Sequence, residues 1–279
     1  MMNDSADAAL KVYVGCAPPQ HVAAQVLAHS ILRHASLPVE ILRLDDCLAG
    51  QPVPASGHTL FSLQRFFIPQ LSGHHGLAVY LDSDMLVFHD LCELLELRAV
   101  GSAVSSAEAP PDSGRRRQFS VMVIDCALAR WDPVEIHRLA QLRYREVMTE
   151  LEFEPSKTVC LPYTWNSLER FEPGKTRLLH FTAMNLQPWL SSKNSLAPVW
   201  MDALFLALQD RFVSADAVRD GIRQGWFRPG LLWQVEHGER DPRQLPLRLR
   251  LAEAVYRPPH KPALLTAARQ RLTRALKRA

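Results

Sequence analysis

At 279 residues, with 47% hydrophobic and 22% charged side chains, the chain can bury a large core and reads as one sizeable α/β domain. A net charge of +3 is too small to argue for nucleic acid, and no run of about 18 apolar residues exists to span a membrane. The five cysteines (Cys16, Cys47, Cys92, Cys126, Cys160) are odd in number, scattered and free of any Cys-x-x-Cys pair, so they suggest neither a disulfide framework nor a structural zinc site.

The acidic start, Met-Met-Asn-Asp-Ser-Ala-Asp, lacks a basic-then-apolar signal pattern, which with reduced thiols gives a cytoplasmic expectation. Lys11–Gly15 reads as a first buried strand, ended by Pro18-Pro19. Apolar spacing at Val22, Val26, Leu27 and Ile31 predicts a helix over His21–Ala35, and Val39–Leu44 alternates as a second strand. Residues 45–58 are loop-like, Ser62–Ile68 reads as a helix stopped near Pro69, and Ala78–Leu81 is a third strand. His89 and Cys92 form an isolated His-x-x-Cys, a surface and core pair rather than metal ligands. Strands at Ala103–Ser106 and Phe119–Asp125 flank the polar stretch Glu108–Gln118, where Arg115, Arg116 and Arg117 could form either a phosphate-engaging lid or a solvated charge run. Helices are predicted at Pro133–Met148, Val199–Arg211 and Ala215–Gln224, with a short strand at Arg177–His180. From Pro258 on there are six Lys/Arg and no acidic residue. Leu265, Ala268, Leu272 and Leu276 share one helical face there, a pattern that suits an anionic membrane surface or a helix packed on its own domain.

Strands alternating with helices point to a mainly parallel sheet, whose ligands bind beyond the strands' carboxyl ends. Gly15-Cys16-Ala17, Asp82-Ser83-Asp84 and Asp125 fall at such ends. Neither Gly-x-Gly-x-x-Gly nor a Walker-type loop occurs, which disfavours dinucleotide binding and nucleotidyl transfer. Asp82 and Asp84 interrupt an apolar run, at a cost of several kcal/mol each if desolvated and unpaired. Residues i and i+2 of an extended chain point to one side, so both can meet a hard divalent cation; carboxylates capping a turn in water are the plainer alternative.

The context is specific. Ser62-Leu-Gln-Arg65-Phe-Phe-Ile-Pro-Gln-Leu71 followed by Val79-Tyr-Leu-Asp82-Ser83-Asp84-Met-Leu-Val87 resembles the core signature of glycosyltransferase family 8, the retaining GT-A transferases. Gln118–Asp125, Leu161-Pro-Tyr-Thr-Trp165-Asn166, and His180-Phe-Thr182 with Gln187-Pro-Trp189 are similar to its later motifs in the same order, over roughly residues 10–190. The resemblance implies a GT-A α/β fold, a mainly parallel mixed sheet flanked by helices. Residues 1–258 would form the transferase domain and 259–279 a basic amphipathic helical tail.

It further implies a Mn²⁺ or Mg²⁺ cofactor held by Asp82, Asp84 and His180, with imidazole favouring Mn²⁺. Gly15, Ala17, Arg65, Ser83, Gln118 and Gln187 would line the site of the nucleotide-diphosphate sugar donor, and Trp165 and Asn166 the acceptor or sugar pocket. Ala17 stands where many relatives have an Asp that accepts from uracil, and Gln187 replaces the Lys of Lys-Pro-Trp. The family's Asp-Gln-Asp is missing; Glu146, Glu150 and Glu152 lie in that stretch, and no catalytic base is assigned. The implied activity moves a hexose, from UDP-glucose or UDP-galactose, to a hydroxyl of a glycan or glycolipid. Residues 261–279 would engage the inner face of the plasma membrane. The competing expectation is a degenerate sugar-nucleotide binder or peripheral adaptor.

Overall fold

The computed structural model describes residues 9–51, 62–111 and 119–258. Gln118, the arginines at 115–117 and the tail over 259–279 lie outside the described residues. The first elements are β1 (Leu10–Gly15), α1 (His21–His34), β2 (Val39–Arg43), α2 (Leu44–Cys47), α3 (Ile68–Leu71), β3 (Leu77–Asp82) and β4 (Met85–Val87). Next come α4 (Cys92–Leu97), β5 (Val104–Ala107), β6 (Val121–Asp125), α5 (Pro133–Glu150), β7 (Lys157–Leu161), β8 (Ser167–Leu168) and β9 (Leu178–His180). Four helices follow: α6 (Ala197–Gln209), α7 (Ala215–Arg223), α8 (Gly230–His237) and α9 (Leu247–Val255).

Six strands form a mixed sheet in the order β2-β1-β3-β6-β5-β7. β1 pairs parallel with β2 and β3, and β5 with β7, while β6 runs antiparallel to both its neighbours. The apolar runs of β1 and β3 are buried on both faces, as helix-covered sheets require. Val12, Val14, Val79 and Leu81 point into a core with Leu27 and Ile31 of α1. Their alternates Tyr13, Ala78 and Tyr80, with Met122 and Ile124 of β6, meet Phe66 and Trp131 on the other face. Each such aliphatic side chain contributes about 1.5–3 kcal/mol by leaving water. A second sheet, β4-β9-β8, is small but decisive for the site.

Besides α2 taking up Leu44–Cys47, where the sequence reads as strand end and loop, two expectations change here. The segment after Ser62 is a 3₁₀ turn, Gln64–Phe67, running into α3, and Pro69 lies inside the first turn of α3 instead of stopping a helix. A first-turn proline loses no hydrogen bond, because that N–H has no partner within the helix anyway. Asp125 is the second. Because β6 is antiparallel, Asp125 pairs with Leu77 at the start of β3, at the far end from Asp82. There its carboxylate accepts from the amides of Ala127 and Leu128 and closes a turn.

The described residues divide into two compact units. One holds the chain up to Met184 together with Asp202–Val213, and the other holds Asn185–Met201 and the residues from Ser214 on. The first carries both sheets. In the second, Trp189 and Trp200 pack with ring centroids 5.2 Å apart. Arg228 is fully buried there and pairs with Glu253 at 2.7 Å. Among the described residues no helix is long and apolar enough to cross a membrane.

Candidate metal centre

β3 ends on Asp82, which sits in register opposite Gly15 of β1. The chain then turns at Ser83, whose amide donates to the Gly15 carbonyl at 3.1 Å, and enters β4. β4 pairs with β9 so that Met85 faces His180, and the Phe181 amide donates to the Asp84 carbonyl at 2.9 Å. This small sheet is what carries a histidine from a distant segment to the paired aspartates. His180 Nε2 lies 3.1 Å from Asp84 Oδ1 and 3.9 Å from Asp82 Oδ2, and one ligand atom of each residue falls within 4.8 Å of the others.

Behind the triangle stands a set of supporting groups. His180 Nδ1 is 3.0 Å from Asn166 Oδ1 and 3.3 Å from Ser120 Oγ, while Asn166 Nδ2 donates to Ser120 at 3.1 Å. The amide oxygen can only accept, so Nδ1 carries a proton; Nε2 is left to face the carboxylates, donating to Asp84 while protonated and offering its lone pair to a metal once that proton leaves. Such a partner fixes both tautomer and ring orientation of a metal-binding histidine. Asn166→Ala is expected to weaken Mn²⁺ binding about 10–100-fold with the fold intact, read by titration calorimetry.

Asp82 is organised from the other side. Arg65 is 6% exposed and donates from Nη2 to Asp82 Oδ1 at 3.0 Å, from Nη1 to the Phe119 carbonyl at 2.6 Å and from Nε to the Ser62 carbonyl at 3.0 Å. Its guanidinium also lies 4.4 Å from the centre of the Tyr80 ring, a cation–π arrangement. Burial holds the Tyr80 hydroxyl protonated, well above its usual range, so it donates to Asp82 Oδ1. This crossing explains Gly15: a Cβ there would collide with the Tyr80 hydroxyl.

Burial raises the Asp82 carboxyl above its ordinary value, Arg65 opposes the rise, and neighbouring Asp84 adds to it. For His180, burial works downward, but attraction to Asp84 and Asp82 outweighs it and leaves the imidazole raised. Both shifts have one consequence for a cation. Below the raised His180 value a proton occupies Nε2, and below that of Asp82 a proton occupies the carboxylate, so metal must displace them. Mn²⁺ affinity is therefore expected to climb with pH, by about tenfold per unit while one proton is released, and to level off above the raised His180 value. Electron paramagnetic resonance of free Mn²⁺ measures this; a flat profile would separate His180 from the metal.

The donor set of two carboxylates and one imidazole lone pair fits a divalent cation of the Mn²⁺ type. Ser83 adds a further mark: its hydroxyl is buried and has no hydrogen-bond partner among the described residues. An orphaned polar atom in a native core points to a missing ligand or water.

The other expected residues are distributed unevenly. Gly15 and Ala17 lie at the carboxyl end of β1, with Ala17 extended and its carbonyl accepting from Gln20 at 2.8 Å. Asn166 lies directly behind His180, and Trp165 beside it is fully buried, with its indole N–H lacking a partner among the described residues. Gln187 belongs to the second compact unit and is buried there. Glu152 is paired with Arg143 at 2.5 Å. Sequence reasoning misses Ser120 and Glu169; the Glu169 amide donates to the His180 carbonyl at 3.1 Å, and its carboxylate accepts from the Ala183 amide at 2.6 Å. The one local clue to Ser120 is a lone hydroxyl opening the apolar run Val121–Ile124.

The mixed sheet flanked by helices matches the GT-A fold of solved glycosyltransferases. Among solved structures the chain is similar to the bifunctional glycosyltransferase WbbM, with a TM-score of 0.51 and 18% identity over 73% of this chain and 50% of that one. It is also similar to the glycosyltransferase GlyE of Streptococcus pneumoniae TIGR4, with a TM-score of 0.54 and 16% identity over 80% of this chain and 66% of that one. No family model matches the chain. A curated relative, Protein CDI of Arabidopsis thaliana, is 37% identical over 93 residues, which is 31% of this chain and 36% of that protein. The chain thus matches about a third of that relative and half to two thirds of the two structures.

Proposed function

We propose that this chain is a metal-dependent retaining glycosyltransferase of family 8, moving a hexose from UDP-glucose or UDP-galactose to a hydroxyl of a glycan or glycolipid. The observation that carries it is the convergence of Asp82, Asp84 and the Nε2 of His180 at the carboxyl end of the central strand. A divalent ion held there, Mn²⁺ or Mg²⁺, supplies Lewis-acid neutralisation of the departing nucleotide diphosphate. Asp82 and Asp84 bind, Asn166 and Ser120 hold the imidazole in its lone-pair-out tautomer, and neither aspartate transfers a proton. Arg65 acts through Asp82, keeping it charged and oriented in a dry setting where charge interactions are strong.

Gly15, Ala17 and Ser83 are proposed beside the nucleotide, Gln118 and Gln187 at the donor, and Trp165 with Asn166 behind the sugar pocket. With Ala17 in place of a carboxylate, base recognition rests on backbone and on other side chains. Residues 1–258 are proposed as the transferase domain and 259–279 as a basic tail on anionic lipid at the inner face of the plasma membrane. Each basic residue close to such a surface contributes on the order of 1 kcal/mol. Cosedimentation of the chain lacking 259–279 with anionic liposomes tests the tail, and undiminished binding rejects it.

The test of the activity is a panel of nucleotide sugars with Mn²⁺, read by thermal shift and then by nucleotide release. The proposal expects one donor to raise Tm only when Mn²⁺ is present and to be slowly hydrolysed without acceptor. A protein that binds the donor but releases nothing with any metal or acceptor is a binder, and the transferase proposal fails.

A further inference from the structure

A second set of metal-ligating side chains lies one strand away, outside the site described above. Cys16 follows β1 directly, His21 is the first residue of α1, and Asp45 is the second residue of α2. The Cys16 thiol is fully buried and donates to Asp45 Oδ1 at 3.1 Å, and His21 Nε2 stands 2.5 Å from Asp45 Oδ2. One ligand atom of each residue lies within 4.8 Å of the other two. A tetrahedral ion with bonds of about 2.0–2.3 Å to nitrogen, oxygen and sulfur sets its ligand atoms about 3.3–3.8 Å apart, a spacing that this 4.8 Å ceiling admits.

From Cys16, His21 and Asp45 we infer a zinc site with three protein ligands at the carboxyl ends of β1 and β2.

The chemistry separates it from the aspartate–histidine triangle. Thiolate and imidazole select zinc over Mg²⁺ and Mn²⁺, whereas two carboxylates and one imidazole suit the harder ions. Three protein ligands leave the fourth position to an exchangeable ligand, unlike a closed structural zinc. The side chains of His21 and Asp45 are 33% and 16% exposed, so an ion can reach the site from solvent. The nearest cation, Arg43, has its Nε 3.6 Å from Asp45 Oδ1, but its charge is matched by Asp46, which accepts from Nε at 2.8 Å and from Nη2 at 2.5 Å. Loading breaks the S–H bond of Cys16, forms the S–Zn bond and gives the proton to the buffer. Sequence spacing hides this site because Asp45 comes from a different strand end, joined only by the parallel pairing of β1 and β2. The ion would tie α1, β1 and α2 together beside Gly15, the residue opposite Asp82.

The experiment uses the full chain, stripped of metal and titrated with Co²⁺ while Mg²⁺ saturates harder sites. One equivalent of Co²⁺ should give tetrahedral visible bands and an intense near-ultraviolet thiolate-to-metal band, both erased by Zn²⁺. Cys16→Ala and His21→Ala should each abolish the thiolate band, while Cys47→Ala and Asp84→Ala should retain it. If Cys16→Ala fails to fold, His21→Ala decides, since it removes a partly exposed side chain at a helix start. Absence of the thiolate band in the native chain, or its survival in His21→Ala, overturns the site. Retention in Asp84→Ala keeps this result separate from the fate of the transferase proposal.

Discussion

On the proposed transferase activity, Asp84→Ala is expected to lower Mn²⁺-dependent release of nucleotide from the donor sugar by about a thousandfold, with little change in Tm of the metal-free protein. The rate loss follows from the site's electrostatics. A metal that neutralises a leaving diphosphate supplies several kcal/mol of transition-state stabilisation, and each 1.36 kcal/mol is about tenfold in rate. Without Asp84, His180 Nε2 loses its 3.1 Å neighbour and Asp82 alone remains of the carboxylate pair. Stability moves differently because two like charges share this buried corner. Asp84 helps to hold the Asp82 carboxyl above its ordinary value, so removing it lets Asp82 ionise more readily beside Arg65. Relief of that repulsion offsets the lost contact to His180. A variant that keeps the native Mn²⁺-dependent rate would remove Asp84 from the metal site; one that unfolds would show the pair to be structural. Asp84→Asn supplies the control, since it keeps the shape and loses the charge.

How much of this was legible before folding depends on the range of the contacts. β1 and β3 carry continuous apolar runs because both faces are covered, and such runs stand out in a sequence. The edge strand β7, Lys157–Leu161, does not: four of its five residues are only partly buried. In α9, Leu247-Arg-Leu-Arg-Leu251 has a period of two, yet it folds as a helix with no buried residue. Its period therefore records no core, while Leu, Arg, Ala and Glu all favour helix locally. At the site, Asp82 and Asp84 announce themselves as charges in an apolar strand. His180 is visible only through resemblance, because the β4–β9 pairing that delivers it leaves no local pattern. Ser120, Glu169 and Asp45 are hidden for the same reason. Pairing direction also matters: Asp125 looks equivalent to Asp82 until β6 proves antiparallel.

Arg65→Met should be the most destabilising single change at the site, by about 3–5 kcal/mol, because it leaves a buried carboxylate without its cation. For a protein of this size that corresponds to roughly 6–20 °C in Tm. Three losses coincide: the Nη2 bond to Asp82, the donors to the Ser62 and Phe119 carbonyls, and the cation over the Tyr80 ring. Only the first is an ion pair, and a double-mutant cycle isolates it. In Arg65→Met/Asp82→Asn the neutral amide still accepts from the Tyr80 hydroxyl but no charge is stranded. The double variant should therefore be more stable than Arg65→Met alone, with a coupling of about 0.5–3 kcal/mol. Mn²⁺ supplies a second control, since an ion bound at Asp82 replaces the missing positive charge. Saturating Mn²⁺ should stabilise Arg65→Met more than it stabilises the native chain. If the two substitutions add and Mn²⁺ stabilises both proteins equally, Arg65 holds this corner by packing and carbonyl bonds alone. In that case the charge of Asp82 is already balanced by the hydroxyl of Tyr80 and the imidazole of His180.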